Sequence, residues 1–210
     1  MQRLSPSGRW VAYALLAFIG LGAGYWLAQR DPAAPVQAAA DASIPERRPE
    51  FTLDDVAGVP RSISEWDGRP LMINFWATWC PPCRREIPLL NALRAEYLDR
   101  DFEVVGVAVD FRDDVLDYLQ RTEVDYPVLI GEEDGMEAAR SFGMPGLGFP
   151  FTVFTDSQGR IVTLHVGELH REQAEVILGA VEDVEAGRKD LASARQWIRD
   201  HKPAAAKAAS

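Results

Sequence analysis

The sequence predicts an α/β fold: a mixed central sheet flanked by helices in three layers, preceded by one transmembrane helix. Three observations carry this. Leu71-Met72-Ile73-Asn74-Phe75-Trp76 and Phe102 to Val109 are near-continuous apolar runs of strand length, as in strands buried on both faces. A helical pattern from about 82 to 99 lies between them and completes a strand-helix-strand unit. Upstream, Trp10 to Gln29 holds no charged residue and is apolar over about the 20 residues that a membrane-crossing helix needs.

Along the chain, residues 1–9 carry Arg3, Arg9 and the amino terminus, whereas Arg30 beyond the apolar run is offset by Asp31. The positive-inside rule puts residues 1–9 in the cytoplasm and makes 10–29 an anchor, with Trp10, Tyr13, Tyr25 and Trp26 near its interfaces. The competing reading is a cleaved signal peptide. The run exceeds a usual signal core, and Ala38-Ala39-Ala40 lies too far beyond it for a usual cleavage site. Gly20 and Gly24 form a weak small-residue packing signal. Residues 30–48, rich in Ala and Pro, read as a flexible linker.

The soluble domain is expected over 49–187. Phe51 to Leu53 and Arg61 to Ser64 flank a Gly58-Val59-Pro60 turn and predict a hairpin. After the strand-helix-strand unit come a short helix at 113–122, a strand at 127–130 and a helix at 136–142. Strands at 151–155 and 161–166 surround the turn Asp156-Ser157-Gln158-Gly159, and a helix at 171–186 closes the domain. Residues 188–210 add a helix near 190–200 and a disordered tail.

The formal charge is −10, but the first 48 residues hold five arginines against three acids and residues 201–210 hold two lysines. Residues 49–200 therefore carry −14. With no basic stripe, nucleic acid is excluded as a partner. The acidity otherwise suits a solvated surface.

The only two cysteines are Cys80 and Cys83 in Trp79-Cys80-Pro81-Pro82-Cys83. Thiols three apart at a helix start lie one turn apart on the same side and can close a disulfide without backbone movement. The helix N-terminus favours the thiolate, the reactive form. Pro81 and Pro82 suit a first turn, where a missing N–H costs little. An inert bridge and a zinc site are the other readings. Zinc needs about four ligands, and His165, His170 and His201 show no matching spacing; Arg84 after Cys83 excludes haem attachment. Neither a cofactor nor a metal is expected.

Asn74-Phe-Trp-Ala-Thr-Trp-Cys-Pro-Pro-Cys-Arg-Arg-Glu-Ile-Pro88, with Pro150 to Asp156 and Gly159 to Ile161 downstream, resembles the membrane-anchored TlpA/ResA-like branch of the thioredoxin superfamily. The resemblance covers about two-thirds of the chain and implies a thioredoxin-like fold. It implies Cys80 as nucleophile and Cys83 as resolving thiol. It also implies a cis peptide before Pro150, and a Phe149 backbone that pairs with a client strand.

Glu86, three past Cys83, matches an acid of this branch; it is either a proton partner for the resolving thiol or a solvated carboxylate. Asn74 replaces the buried aspartate of thioredoxins proper. Trp79 is expected as an active-site wall and Trp76 as core. Pro145-Gly-Leu-Gly-Phe149 is longer and bulkier than the family pattern, so Phe149 either contacts partners or packs in the core.

The resemblance further implies a reductase of protein cysteine pairs, with apocytochrome c or metal-site thiols as targets. Its electrons would come from a membrane thiol donor. The anchor would make it a single-pass protein of a bacterial inner membrane, with its domain in the periplasm. A client- or metal-binding module without catalysis is the alternative, and a thiol peroxidase is disfavoured because no proline-rich peroxidatic loop surrounds Cys80.

Overall fold

The structure is a computed structural model that describes residues 44–143 and 148–203. The expected anchor at 10–29, most of the linker, part of the segment before Phe149 and the extreme tail lie outside the described residues. Among the described residues, no helix is long and apolar enough to cross a membrane.

In chain order, β1 (Thr52–Asp55) and β2 (Pro60–Ser62) form the expected hairpin, and a short 3-10 turn (Ile63–Trp66) leads to β3 (Leu71–Trp76). Helix α1 (Pro81–Tyr97) is followed by β4 (Glu103–Val109), α2 (Arg112–Leu119) and β5 (Val128–Gly131). Then come α3 (Glu133–Ser141), β6 (Phe151–Thr155), β7 (Ile161–Val166), α4 (Arg171–Glu185) and α5 (Leu191–His201). The sheet order is β2-β1-β5-β4-β3-β6-β7. β3, β4 and β5 run parallel, and β1, β2, β6 and β7 join antiparallel.

Alternation along the central strands divides the core between the two faces of the sheet. Met72, Trp76, Val104, Ala108 and Phe154 pack with Ile87, Leu90 and Leu93 of α1 and with Ile177, Leu178 and Val181 of α4. Ile73, Phe75, Val105, Val107 and Val153 pack on the other face with Ala138, Ala139 and Phe142. Burial on both sides explains why these strands read as continuous apolar runs. Phe75 and Phe151 stack at 4.5 Å between ring centroids.

The domain is wider than the sequence predicts. Within the expected linker, Arg47 bridges Arg160, Arg48 N–H donates to Gly159 C=O, and the Arg48 side chain is buried against Asp67. At the other end, α5 contributes Ala194 and Ile198 to the core shared with α4. Both segments look polar and short in isolation, yet each buries a few side chains that only the folded sheet and α4 can receive.

Candidate active site

β3 ends at Trp76, and a three-residue turn brings the chain to the N-terminus of α1. Asp110, just past β4, fixes that turn: its Oδ2 accepts from Thr78 N–H at 3.0 Å and from the Thr78 hydroxyl. Its Oδ1 accepts from Phe111 N–H. Cys80 N–H donates to Ala77 C=O at 3.2 Å. Cys80 is the N-cap of α1, and its Sγ accepts from Cys83 N–H at 3.3 Å. Pro81 and Pro82 occupy the first turn. Cys80 and Cys83 are joined by a disulfide, with Cα atoms 5.3 Å apart. An S–S bond between a helix N-cap and its first turn is reducible to a thiolate that the terminal N–H groups stabilise.

Trp79 is 65% exposed beside the sulfurs, whereas Trp76 is fully buried. The Phe149–Pro150 peptide is cis, and Pro150 immediately precedes β6, which pairs with β3 through Phe75↔Phe151. The proline therefore lies at the same end of the sheet as the disulfide. Phe149 is half-buried. Its ring stacks on Phe151 and meets Trp79 edge-on, each at 6.2 Å, so one face packs while the other meets the exposed indole. No hydrogen bond to the Phe149 backbone is found among the described residues.

Glu86 is 1% exposed, which removes the solvated-carboxylate reading. It lies one turn beyond Cys83 on the inner face of α1. Its Oε1 accepts from Asn74 Nδ2 at 2.7 Å and its Oε2 from Leu169 N–H at 2.8 Å. Burial pushes its pKa up to about 7, against the pull of the Leu169 N–H and the Asn74 amide. A carboxyl at that acidity can both take and return a proton near neutrality.

The strand register explains the surroundings. Gly106, Asn74, Thr152 and His165 are successive partners across β4, β3, β6 and β7, a polar row on the α1 face of the sheet. Asn74 Nδ2 also donates to Thr152 Oγ1 at 3.0 Å. Tyr126 crosses over Gly106, where a Cβ would lie 2.7 Å from its ring. Buried His165 is pushed down to about 4 by desolvation and then by Lys202, so it stays neutral. The sequence reading names Asn74 but misses Asp110, Thr152 and Leu169. Only register or a loop connection brings them to the site.

Arg84, the residue after Cys83, is exposed. Among the described residues, no group of three or more His, Cys, Asp or Glu side chains is placed to hold a metal ion.

Comparison with known proteins fits this geometry. The thiol-disulfide oxidoreductase ResA of Halalkalibacterium halodurans is 28% identical over 167 residues, covering 79% of this chain and 90% of that protein. The thioredoxin-like protein YneN of Bacillus subtilis is 30% identical over 136 residues, 62% of this chain and 75% of its own. A thiol:disulfide interchange protein of the thioredoxin family from Chlorobium tepidum superposes with a TM-score of 0.53 at 25% identity, covering 76% of this chain and 97% of that one. Since the family model for Redoxin matches residues 44–181, spanning the cysteine pair, Glu86 and the strand after the cis proline, the chain belongs to the Redoxin family.

Proposed function

We propose that this protein, a thiol-disulfide oxidoreductase, is a reductase of protein disulfides that works outside the cytoplasmic membrane, tethered by residues 10–29 and recharged by a membrane thiol donor. The observation that carries the reading is the disulfide at the α1 N-cap, with the cis Phe149–Pro150 bond at the same end of the sheet and a buried carboxyl one turn below. The uncharged run at 10–29, with arginines before it, supports the tether and the periplasmic side. Clients in cytochrome c maturation or metal-site assembly belong to this proposal, and the TlpA/ResA-like active-site segment supports them.

In the reduced enzyme, the Cys80 thiolate attacks one sulfur of a client disulfide. The client S–S bond breaks, a mixed disulfide forms, and the departing client sulfur leaves as a thiolate. Cys83 then gives its proton to the Glu86 carboxylate and attacks Cys80 Sγ. The Cys80–Cys83 bond forms, the second client thiolate leaves, and two electrons have passed to the client. Glu86 returns its proton to a client thiolate or to water. Phe149 offers its backbone, and Trp79 its exposed ring, to the client segment around the cysteine.

The test is trapping. Cys83→Ser cannot resolve the mixed disulfide, so expression in the native cell should accumulate clients disulfide-linked to Cys80 and released by reductant. Absence of such adducts, with a known exchanger trapping clients in parallel, would overturn the reading. Equilibration of the purified pair with glutathione fixes direction: a reductase should lie well below the oxidising poise of DsbA-type proteins, with about 30 mV for each 1.4 kcal/mol.

A further inference from the structure

The Glu86 carboxylate is held by two donors of different origin. Asn74 is fixed in the middle of the sheet, but Leu169 belongs to the connection between β7 and α4. Three contacts anchor that connection. Gly167, at φ +95°, donates its N–H to Pro150 C=O at 2.8 Å. His165 Nε2 lies 3.3 Å from the Glu168 carbonyl oxygen, and the Lys202 ammonium lies 3.4 Å from Nδ1. With a cation against Nδ1, the ring proton sits on Nε2 and is donated to Glu168. The third contact is a fork: Arg85 Nε and Nη2 both reach Glu168 Oε2, at 3.0 and 2.5 Å. Arg85 and Glu86 are neighbours on α1, so one helix turn grips Glu168 from outside and takes Leu169 N–H from inside.

We propose that the Arg85–Glu168 ion pair is a positioning clamp that keeps Leu169 N–H on Glu86 and Gly167 N–H on Pro150. One three-residue bridge then holds both the proton-carrying carboxyl and the client-docking proline in register. The clamp's purpose rests on the reading of Glu86 as a proton carrier; its geometry does not. An exposed ion pair adds little to stability, so its loss should leave the fold intact while freeing the bridge.

Other titratable or charged groups lie on each element around Glu86. Cys83 and Arg85 flank it on α1, Glu168 from the bridge and Tyr126 from the segment before β5 interact with it, and His165 with Lys202 stands behind the bridge. Tyr126 is pushed up by burial and His165 down, so both are neutral around pH 7. Lys202 lies against the His165 ring. The Glu168–Arg85 pair is therefore the adjacent charge balance that substitution can alter.

Arg85→Gln should raise the Glu86 pKa by about one unit, because it frees the Leu169 N–H and leaves the Glu168 charge unneutralised. The double variant Arg85→Gln with Glu168→Gln separates the two effects, since it also removes the Glu168 charge, which itself raises the Glu86 pKa, without restoring the clamp. The measurement is a carboxyl carbon-13 NMR titration of Glu86 in the full chain with its disulfide closed, together with Leu169 amide exchange. A raised pKa in Arg85→Gln that the double variant reduces, with Leu169 exchanging at least about tenfold faster in both, is the expected result.

An unshifted Arg85→Gln, or a double variant whose Leu169 amide exchanges like wild type, would sink the clamp. Arg85→Lys keeps the charge but loses the fork, and it serves if glutamine perturbs the helix. It too should speed Leu169 exchange, and unchanged exchange would count against the proposal. Because the titration needs no turnover, Glu86→Gln retaining full reductase activity would remove the proton-carrier reading and leave the clamp standing.

Discussion

Asn74 and Glu86, twelve residues apart in sequence, meet at 2.7 Å as amide donor and carboxylate acceptor, both fully enclosed. The pair joins a strand position and a helix position into one buried polar contact, a turn beyond Cys83. An amide there can only donate to the carboxylate; it cannot compete for the proton. Burial raises the Glu86 pKa, and the Leu169 N–H and then this amide limit the rise to about 7.

Asn74→Asp should remove the amide's share of that limit. Two enclosed carboxyls in hydrogen-bond contact cannot both ionise, so they titrate as a coupled pair. The upper apparent pKa should exceed the wild-type value by about one unit or more. A pH profile of reductase activity, with the limb that reports Glu86 moving to higher pH, is the check. A profile that superposes on wild type would separate Glu86 from the rate.

The same shift makes stability depend on pH with a defined sign. Glu86 has a folded pKa of about 7 against an ordinary value of 4.5, so the folded state binds more protons between these limits. The cost of ionising it is absent below about 4.5, grows as pH rises, and is complete above about 7. At 1.36 kcal/mol per unit it amounts to about 3 kcal/mol. Denaturant unfolding of the oxidised protein should therefore lose about that much stability from pH 4.5 to 8 relative to Glu86→Gln. A difference that stays constant across this window would show that the carboxyl is not held above its ordinary pKa.

Gly106 carries a prediction that no strand pattern contains. It lies within β4 with no turn or positive φ to require glycine; what requires it is space. A methyl group there would meet the Tyr126 ring at 2.7 Å and Trp76 Nε1 at 3.1 Å. Gly106→Ala should cost about 1–3 kcal/mol through overpacking, read as a lowered midpoint in urea. A neutral result would mean that the Tyr126 ring yields freely.

Much of the fold is legible because buried parallel strands and one amphipathic helix leave strong patterns. Leu71 to Trp76 and Ile161 to Val166 form strands over the residues that their apolar runs mark. The cysteine pair is legible for a local reason, since a helix turn alone places the sulfurs. Glu86 is half legible: spacing puts it on the Cys83 face, but its burial depends on β3 and on the connection carrying Leu169. Thr152 and His165 look like ordinary strand residues until register sets them beside Asn74. Arg48 and Ile198 fall outside the expected domain because the surfaces that bury them come from residues far along the chain.

Asp110 supplies the last prediction. Its Oδ2 holds both the N–H and the hydroxyl of Thr78, two residues before Cys80, so the end of β4 fixes the turn that leads to Cys80. The carboxylate does not touch the sulfurs, and its effect should be on geometry rather than thiol acidity. Asp110→Ala removes three hydrogen bonds, two from Thr78 and one from Phe111 N–H, and should cost about 1–3 kcal/mol. Faster exchange of the Thr78 amide should accompany it. Asp110→Asn can keep one acceptor oxygen for both Thr78 donors but turns an amide N–H toward Phe111 N–H, so it should recover part of both losses. If Asp110→Ala leaves stability and Thr78 exchange unchanged, the turn must be held by the Cys80–Ala77 hydrogen bond and the disulfide alone.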